Sequence, residues 1–252
     1  MASPPALDVL LPPQRPPIGP DDVAGLADVY TAPRLPWLRA NMVATLDGAA
    51  TGPDARSGSI NDAADHRVFE ALRAWADVVL VGAGTVRAEG YRAPRTPDHW
   101  LAMRRREGRA DHPPLAVVTA SGALPDALLT DDPAPWVATS ADAPGLARLR
   151  QRLPAERLLV HHGPVDLAAL RSALVGAGLT RILAEGGPTL LGELLGAHLV
   201  DELCLTWSPL LVGGPAPRPV DAPGWLDPPT GARLTTLLHA DGVLLGRWRL
   251  SD

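Results

Sequence analysis

Residues 78–85 read VVLVGAGT, a short apolar run that ends in a glycine turn, with a threonine at the expected start of a helix. Residues 181–191, RILAEGGPTLL, repeat the pattern, with Pro188 at the first helical position, where no N–H group is needed. A strand that turns through glycine into a helix leaves free N–H groups in front of the positive end of the helix dipole. Each turn therefore predicts an anion site, typically for phosphate. Glu185 adds a carboxylate beside the second turn, which favours an enzyme that holds a phosphorylated cofactor against a proton-dependent reaction.

Composition excludes several classes of function. The 252-residue chain is 46% hydrophobic and carries a net charge of −5, so it has no basic footprint for nucleic acid and no apolar run long enough for a membrane span. We expect a cytoplasmic protein. The single cysteine, Cys204, excludes an internal disulfide and a cysteine-based zinc cage, and we expect no metal site. All 23 basic residues are arginine, which excludes Schiff-base lysine chemistry and a Walker-type lysine.

The order of predicted elements indicates the fold class. Residues 1–35 are proline-rich and predict an extended arm with a short helix near 21–29, and residues 36–252 alternate between strands and helices. This alternation predicts an α/β domain with a mixed, mostly parallel central sheet, flanking helices and an antiparallel C-terminal hairpin at one edge. Such sheets bind ligands at the carboxyl ends of their strands, where both glycine turns lie. Strands are predicted at 37–46, 77–81, 115–119, 136–139, 157–161, 180–184, 202–208, 233–239 and 243–250, helices at 62–76, 144–153, 165–178 and 188–197, and irregular structure at 91–114.

A third segment makes the pattern more specific. Residues 41–48, NMVATLDG, precede the two glycine turns, and the three segments in this order resemble the reductase domain of riboflavin biosynthesis, which has a dihydrofolate-reductase-like fold. The resemblance runs from about residue 37 to the C-terminus and includes VGAGTVRAEGY (81–91) and DELCLT (201–206), as in stand-alone actinobacterial members. It implies NADPH-dependent reduction of 5-amino-6-(5-phosphoribosylamino)uracil to its ribitylamino form, with hydride transfer to C1′. The zinc deaminase half of the bifunctional relatives needs H-x-E and P-C-x-x-C, which one cysteine cannot supply.

The resemblance also implies cofactor contacts. Val43 and Ser59 match positions on the nicotinamide side, and Thr119 matches an adenosine-side contact that, with Ser121, offers hydroxyls for a 2′-phosphate. Asp47-Gly48 is first a turn signal and is a candidate border of the cofactor site. The glycine-turn residues match the remaining cofactor contacts: Gly82, Gly84, Thr85, Gly186, Gly187, Pro188, Thr189, Leu190 and Leu191.

Substrate contacts follow from the same resemblance. Ser57, Arg73 and Asn41 match substrate-binding positions, and Glu185 and Glu89 match catalytic ones. On a helical wheel Arg73 lies at the edge of an apolar arc, from which its guanidinium could reach a substrate phosphate, whereas Arg67 falls on the solvent side. Glu185 could orient the pyrimidine through its N–H groups or relay a proton to the imine nitrogen. Asn41 stands where many relatives have lysine and Glu89 where riboflavin-pathway members usually have aspartate, which leaves the exact substrate open.

Two further questions stay open at the level of sequence. A dihydrofolate or pterin reductase, a specialised-metabolite reductase and a nucleotide-binding regulatory protein could share the glycine turns, although a regulator would not need Glu185 and Arg73. The apolar residues of strand 202–208 and of the final hairpin predict a homodimer, because an exposed sheet surface of this kind needs a cover. These residues are Leu203, Leu205, Trp207, Leu244, Leu245 and Trp248.

Overall fold

The computed structural model describes residues 4–251 of the chain. These residues form ten strands: β1 Asp8–Leu11, β2 Trp37–Thr45, β3 Val78–Gly82, β4 Leu115–Thr119, β5 Trp136–Ser140, β6 Leu158–His161, β7 Arg181–Ala184, β8 Glu202–Ser208, β9 Ala232–Ala240 and β10 Val243–Leu250. They also form eight α-helices: α1 Val23–Val29, α2 Ala63–Trp75, α3 Ala83–Glu89, α4 Asp98–Arg106, α5 Asp126–Leu129, α6 Leu146–Arg152, α7 Leu167–Gly176 and α8 Pro188–Gly196.

All ten strands belong to one sheet in the order β1-β9-β10-β8-β2-β7-β3-β4-β5-β6. Every neighbouring pair from β8 to β6 is parallel, and the pairs β8–β10, β10–β9 and β9–β1 are antiparallel. This confirms the predicted mixed, mostly parallel sheet with an antiparallel C-terminal hairpin. The hairpin is not the edge, however, because β1 of the N-terminal arm pairs with β9 and covers it.

Two apolar layers sandwich the sheet. One face packs against α2 and α3 together with the arm, and the other packs against α7 and α8. The Asp62 side chain caps α2 by accepting a hydrogen bond of 2.8 Å from the Asp65 amide. Because β3 and β7 are parallel neighbours, the glycine turns that follow them open at the same end of the sheet, where the parallel strands finish.

The arm is attached to the domain through buried arginines. The structure corrects the expectation that Arg67 faces solvent, since its side chain is buried and donates to the carbonyl oxygens of Pro5, Ile18 and Gly19. An irregular segment has no internal partners for its carbonyl groups, and a guanidinium with five N–H donors supplies them. The helix-wheel argument was wrong here because it did not include the arm that lies over this face of α2.

The stretch 91–114, predicted to be irregular, contains α4. Arg104 of this helix is buried and donates hydrogen bonds of 2.9 and 2.6 Å to the carbonyls of Ala74 and Ala76, which end α2. Within the run Arg104–Arg106 only Arg104 is buried, and Arg105 and Arg106 are exposed. Among the residues that the structure describes, no helix has the length and apolarity needed to cross a bilayer.

Candidate active site

A cleft of about 730 Å³ opens at the carboxyl ends of β2, β3 and β7. Its walls come from both glycine turns, from one side of α2 and from the segments that follow α3 and β2. Most residues that the sequence singled out line this cleft: Asn41, Val43, Ser57, Arg73, Gly82, Gly84, Thr85, Glu89, Glu185, Gly187, Pro188, Thr189 and Leu190.

The two glycine turns lie side by side because β7 pairs with β3. The Gly82 amide donates to the Gly186 carbonyl across this pair, at 2.8 Å. Gly186 has φ +76°, and a Cβ there would lie 2.9 Å from Met42 Sδ. A Cβ on Gly187 would lie 2.7 Å from Thr85 Oγ1, so a side chain at either position would displace its neighbour, and the positive φ of Gly186 favours glycine there. Since α8 begins at Pro188, the first-turn amides of Thr189 and Leu190 have no intrahelical acceptor, and both residues line the cleft.

Glu185 is the buried carboxylate of the cleft. Arg73 Nε and Nη2 donate to its two oxygens, each at 2.7 Å, and the Tyr91 hydroxyl donates to Oε2 at 2.6 Å. The Glu185 side chain is only 2% exposed. The Arg73 guanidinium also stacks on the Phe69 ring, 4.1 Å from its centroid. The structure thus joins Glu185 and Arg73, which the sequence assigned to separate roles, into one bidentate ion pair.

Burial and the Glu185 carboxylate shift the pKa values of Arg73 and Tyr91. Burial by itself would lower the pKa of Arg73, but the Glu185 carboxylate outweighs burial and raises that pKa. Burial, followed by the charge of Glu185, raises the pKa of Tyr91 well above its usual value. Arg73 therefore stays a cation and Tyr91 stays a neutral donor. The Nη1 group of Arg73 has no protein acceptor among the described residues and remains available to a ligand.

Glu89 holds the other side of the cleft. Its Oε1 accepts hydrogen bonds from the Ser57 amide at 2.8 Å and the Ser57 hydroxyl at 3.0 Å. This contact joins the end of α3 to the segment after β2. Both residues line the cleft, so the pair fixes the shape of its mouth.

With this geometry in place, comparison with known proteins identifies the family. Residues 36–242 match the model of the RibD C-terminal domain. The chain belongs to the RibD C-terminal domain family. This confirms the expectation of a reductase of the riboflavin-pathway type.

Individual relatives agree with this family. The chain is 30% identical over 181 residues to the 2,5-diamino-6-ribosylamino-4(3H)-pyrimidinone 5′-phosphate reductase of Archaeoglobus fulgidus, covering 71% of this chain and 83% of the relative. It is 34% identical over 187 residues to the reductase of the same name from Methanothermobacter thermautotrophicus, covering 71% and 80%. A pyrimidine reductase-like protein from Corynebacterium diphtheriae superposes with a TM-score of 0.74 at 26% identity, over 90% of this chain and 98% of that one.

Several predicted contacts lie outside the lining of this RibD-type cleft. Ser59 donates to Asp54 and to the Arg56 carbonyl, and Thr119 is buried with its hydroxyl accepting the Gly122 amide at 3.0 Å. Leu191 is buried in the layer under α8, and its amide donates to the Gly187 carbonyl. Gly186 lies behind the wall, and its carbonyl accepts the Gly82 amide.

Asp47 also lies outside the lining, although the predicted turn is present, with the Gly48 amide donating to the Thr45 carbonyl at 3.0 Å. The Asp47 carboxylate accepts from the Val212 and Gly213 amides. A hydrogen bond from the Thr45 hydroxyl, followed by one from the Gly213 amide, lowers the pKa of Asp47. The turn therefore anchors the long loop after β8, which contributes Pro217 to the cleft.

Sequence reasoning missed other lining residues: Asp65, Phe69, Tyr91, Arg92 and Arg95. Asp65, Phe69 and Arg73 follow one another at intervals of four in α2, so they share a helix face. That spacing was a readable signal once Arg73 was placed in the cleft. Tyr91 carried none, because only the fold brings it to Glu185. The described residues contain no group of three or more His, Cys, Asp or Glu side chains that could hold a metal ion.

Proposed function

We propose that the protein is an NADPH-dependent reductase of 5-amino-6-(5-phosphoribosylamino)uracil, which it converts to the ribitylamino form. The observation that carries the proposal is a buried carboxylate, Glu185, fixed by Arg73 and Tyr91 in the same cleft as the glycine turn at Gly187. Such a carboxylate can accept hydrogen bonds from the N–H groups of a pyrimidine. The neighbouring turn offers free amides to a phosphorylated cofactor.

The cleft residues fit a nicotinamide cofactor. The cleft wall formed by the two glycine turns presents backbone amides and the Thr85 and Thr189 hydroxyls. Gly187 lets the chain approach Thr85 more closely than a side chain would permit. When bound, the cofactor supplies the hydride. Val43, Ser59, Thr119 and the amides of the second turn remain our proposed contacts to it.

Preference for NADPH over NADH is supported by charge at the end of β4. The turn after Thr119 carries no acidic residue to accept a ribose hydroxyl, and Arg87 Nη1 donates to the Ala123 carbonyl beside Ser121, at 3.1 Å. A guanidinium at this turn favours a 2′-phosphate.

For the substrate, we propose that Asn41, Ser57 and Arg73 contact the phosphoribosyl pyrimidine. Arg73 would use Nη1, its free donor group, while its other nitrogens hold Glu185. Arg95 also lines the cleft and forms no ion pair with residues 4–251, which makes it a second candidate for the substrate phosphate. The relatives named for a 2,5-diamino pyrimidinone make that compound a second candidate substrate, because it differs only at C2, where an amino group replaces the carbonyl oxygen.

The deciding experiment follows NADPH oxidation with the uracil compound, the diamino pyrimidinone and dihydrofolate side by side. We expect turnover of a phosphoribosyl pyrimidine and none of dihydrofolate. Calorimetry should give a dissociation constant for NADPH at least tenfold below that for NADH, a difference of about 1.4 kcal/mol. Turnover of dihydrofolate alone would replace the proposal by a pterin reductase, and cofactor binding without turnover of any of the three would favour a regulatory protein.

We further propose that the enzyme is a cytoplasmic homodimer. One face of the sheet carries the half-buried side chains of Leu203, Leu205 and Trp207. The Trp248 ring packs edge-on against the Trp207 ring, with 6.1 Å between the two ring centroids. The arm packs on the opposite face of the hairpin, so it does not cover them. Leu245 was grouped with this surface from sequence, but it is buried on the arm side. A second copy about a two-fold axis would bury the remaining residues.

A further inference from the structure

Asp65 lines the cleft, and none of the contacts described above involves its carboxylate. It lies in the first turn of α2, is 4% exposed and lines the same cleft as Glu185. Thr206 of β8 lies next to this side chain, close enough for a hydrogen bond that lowers the pKa of Asp65. Thr206 pairs with Val43 in the β2–β8 ladder, so the Asp65 carboxyl lies beside the part of β2 that lines the cleft.

Asp65 and Glu185 approach the cleft from opposite sides of β2. On the other side of β2, Ala40 pairs with Ala184, the residue before Glu185. The strands β8 and β7 are two inter-strand spacings apart, or about 10 Å. A planar substrate lying over Asn41 and Val43 would therefore have one carboxyl group on each side.

The charges around Asp65 differ from those around Glu185. Its charged neighbours, Asp62 and His66, are both on α2. Its neighbour on β8, Thr206, is uncharged, and so are Asn41 and Val43, the β2 residues that line the same cleft. The other charged groups on this side of the sheet, Arg39, Glu202 and Arg247, pair with one another further along β8.

Burial, reinforced by the charge of Asp62, raises the pKa of Asp65 to about 6 in spite of the Thr206 hydrogen bond. The other acidic groups of the cleft are already engaged. Glu185 accepts from Arg73 and Tyr91, and Glu89 accepts twice from Ser57. Asn41 carries no titratable proton. With a pKa near 6, Asp65 can hold a proton close to neutral pH.

We propose that Asp65 is the proton donor of the reaction, an inference that rests on the proposed reductase function. As the C1′–O4′ bond of the sugar breaks, O4′ keeps the electron pair and takes the Asp65 proton, while the exocyclic nitrogen forms the C1′=N bond. C1′ then accepts a hydride from the reduced nicotinamide, and the C=N electron pair returns to nitrogen. One hydride and one proton are consumed, the substrate gains two electrons, and the Asp65 carboxylate regains a proton from water.

The test compares Asp65→Asn, Asp65→Glu and a control, Asp98→Asn, which alters an exposed first-turn aspartate of α4 outside the cleft. We expect Asp65→Asn to lose about 100-fold or more in kcat, as for loss of a general acid. Asp65→Glu should recover at least a tenth of wild-type kcat, and Asp98→Asn should match the wild type. The decline of wild-type kcat/KM as pH rises through about 6 should be absent from Asp65→Asn.

Two measurements without turnover complete the test. The infrared carbonyl band of a protonated carboxyl should persist at pH 5.5 in the wild type and be lost in Asp65→Asn. The NADPH affinity of Asp65→Asn, measured by calorimetry, should stay within twofold of that of the wild type. This result would distinguish the loss of a proton donor from damage to the cofactor site.

Full activity of Asp65→Asn with an unchanged pH profile would overturn the role of Asp65 and leave the reductase function standing. A folded wild type that turns over no phosphoribosyl pyrimidine would remove both proposals.

Discussion

Arg73, in the last turn of α2, holds both carboxylate oxygens of Glu185, 112 residues later in the chain, at 2.7 Å each. The pair connects α2 to the end of β7, and the Phe69 and Tyr91 rings flank the guanidinium. The contact places a carboxylate next to the second glycine turn and keeps it in one orientation. Several consequences of this arrangement can be measured.

Arg73→Ala should destabilise the protein and weaken substrate binding. Removing one partner of a buried pair leaves the other charge uncompensated, which typically costs about 3–5 kcal/mol, and the partial exposure of Arg73 places this case at the lower end. Urea unfolding measures the loss. The matched control is Arg105→Ala, which breaks an exposed pair with Asp111 and should change little.

In steady-state assays of Arg73→Ala, KM for the phosphorylated substrate should rise while NADPH affinity stays unchanged. A normal KM would refute the phosphate contact.

Glu185→Gln should depress kcat and leave cofactor affinity intact. The amide keeps the shape of the side chain but removes the charge that orders Arg73 and Tyr91 and that orients the pyrimidine. The control is Glu193→Gln, which alters an exposed residue of α8, the helix that follows Glu185. Equal kcat values for the two variants would show that Glu185 has only a structural role.

Gly187→Ala should abolish cofactor binding without unfolding the chain. Its Cβ would lie 2.7 Å from Thr85 Oγ1 and would add bulk at a residue that lines the cleft. Gly196→Ala, at the end of the same helix, meets nothing within 4 Å and should bind NADPH normally. Calorimetric titration with NADPH distinguishes the two variants, and wild-type affinity in Gly187→Ala would move the diphosphate site elsewhere.

Asp65→Asn should stabilise the protein, but only at higher pH. The folded-state pKa of about 6 lies above the ordinary value of 3.8, so the wild type loses stability as pH rises between these values. The two-unit difference corresponds to an upper limit of about 3 kcal/mol, present in full above pH 6 and absent below about pH 4. Chemical unfolding of both proteins at pH 4.5 and 7.5 measures this, with Asp98→Asn as the flat control. A stability difference independent of pH would mean that Asp65 is ionised throughout.

Light scattering at micromolar concentration tests the assembly. We expect twice the chain mass of 26.4 kDa. Replacing Leu205 by Glu on the half-buried face of β8 should give the monomer, because a charge cannot be buried there without a partner. A wild-type mass near 26 kDa would contradict the dimer. The half-buried face would then have to be covered within one chain, although the described arm packs on the opposite face of the sheet.

The sequence by itself determined nine of the ten described strands, most of the helices and both glycine turns, whereas β1 was predicted only as part of an extended arm. These are local features: apolar runs of strand length, the Asp62 cap of α2, and Pro188 at the start of α8 depend on residues only a few positions apart. Because parallel strands present their carboxyl ends at one edge, local patterns were also enough to bring most predicted residues to a single cleft.

Only the tertiary structure decided which of those side chains meet. Strand β7 lies between β2 and β3, so Glu185 reaches Arg73 and Tyr91, which no spacing in the sequence connects. The arm crosses α2 and converts Arg67 from an apparent surface residue into a buried donor. Burial of the Asp65 carboxyl likewise depends on β8, which is remote in sequence. Partners and protonation depend on the dielectric and on charges contributed by distant segments, and these exist only once the sheet has assembled.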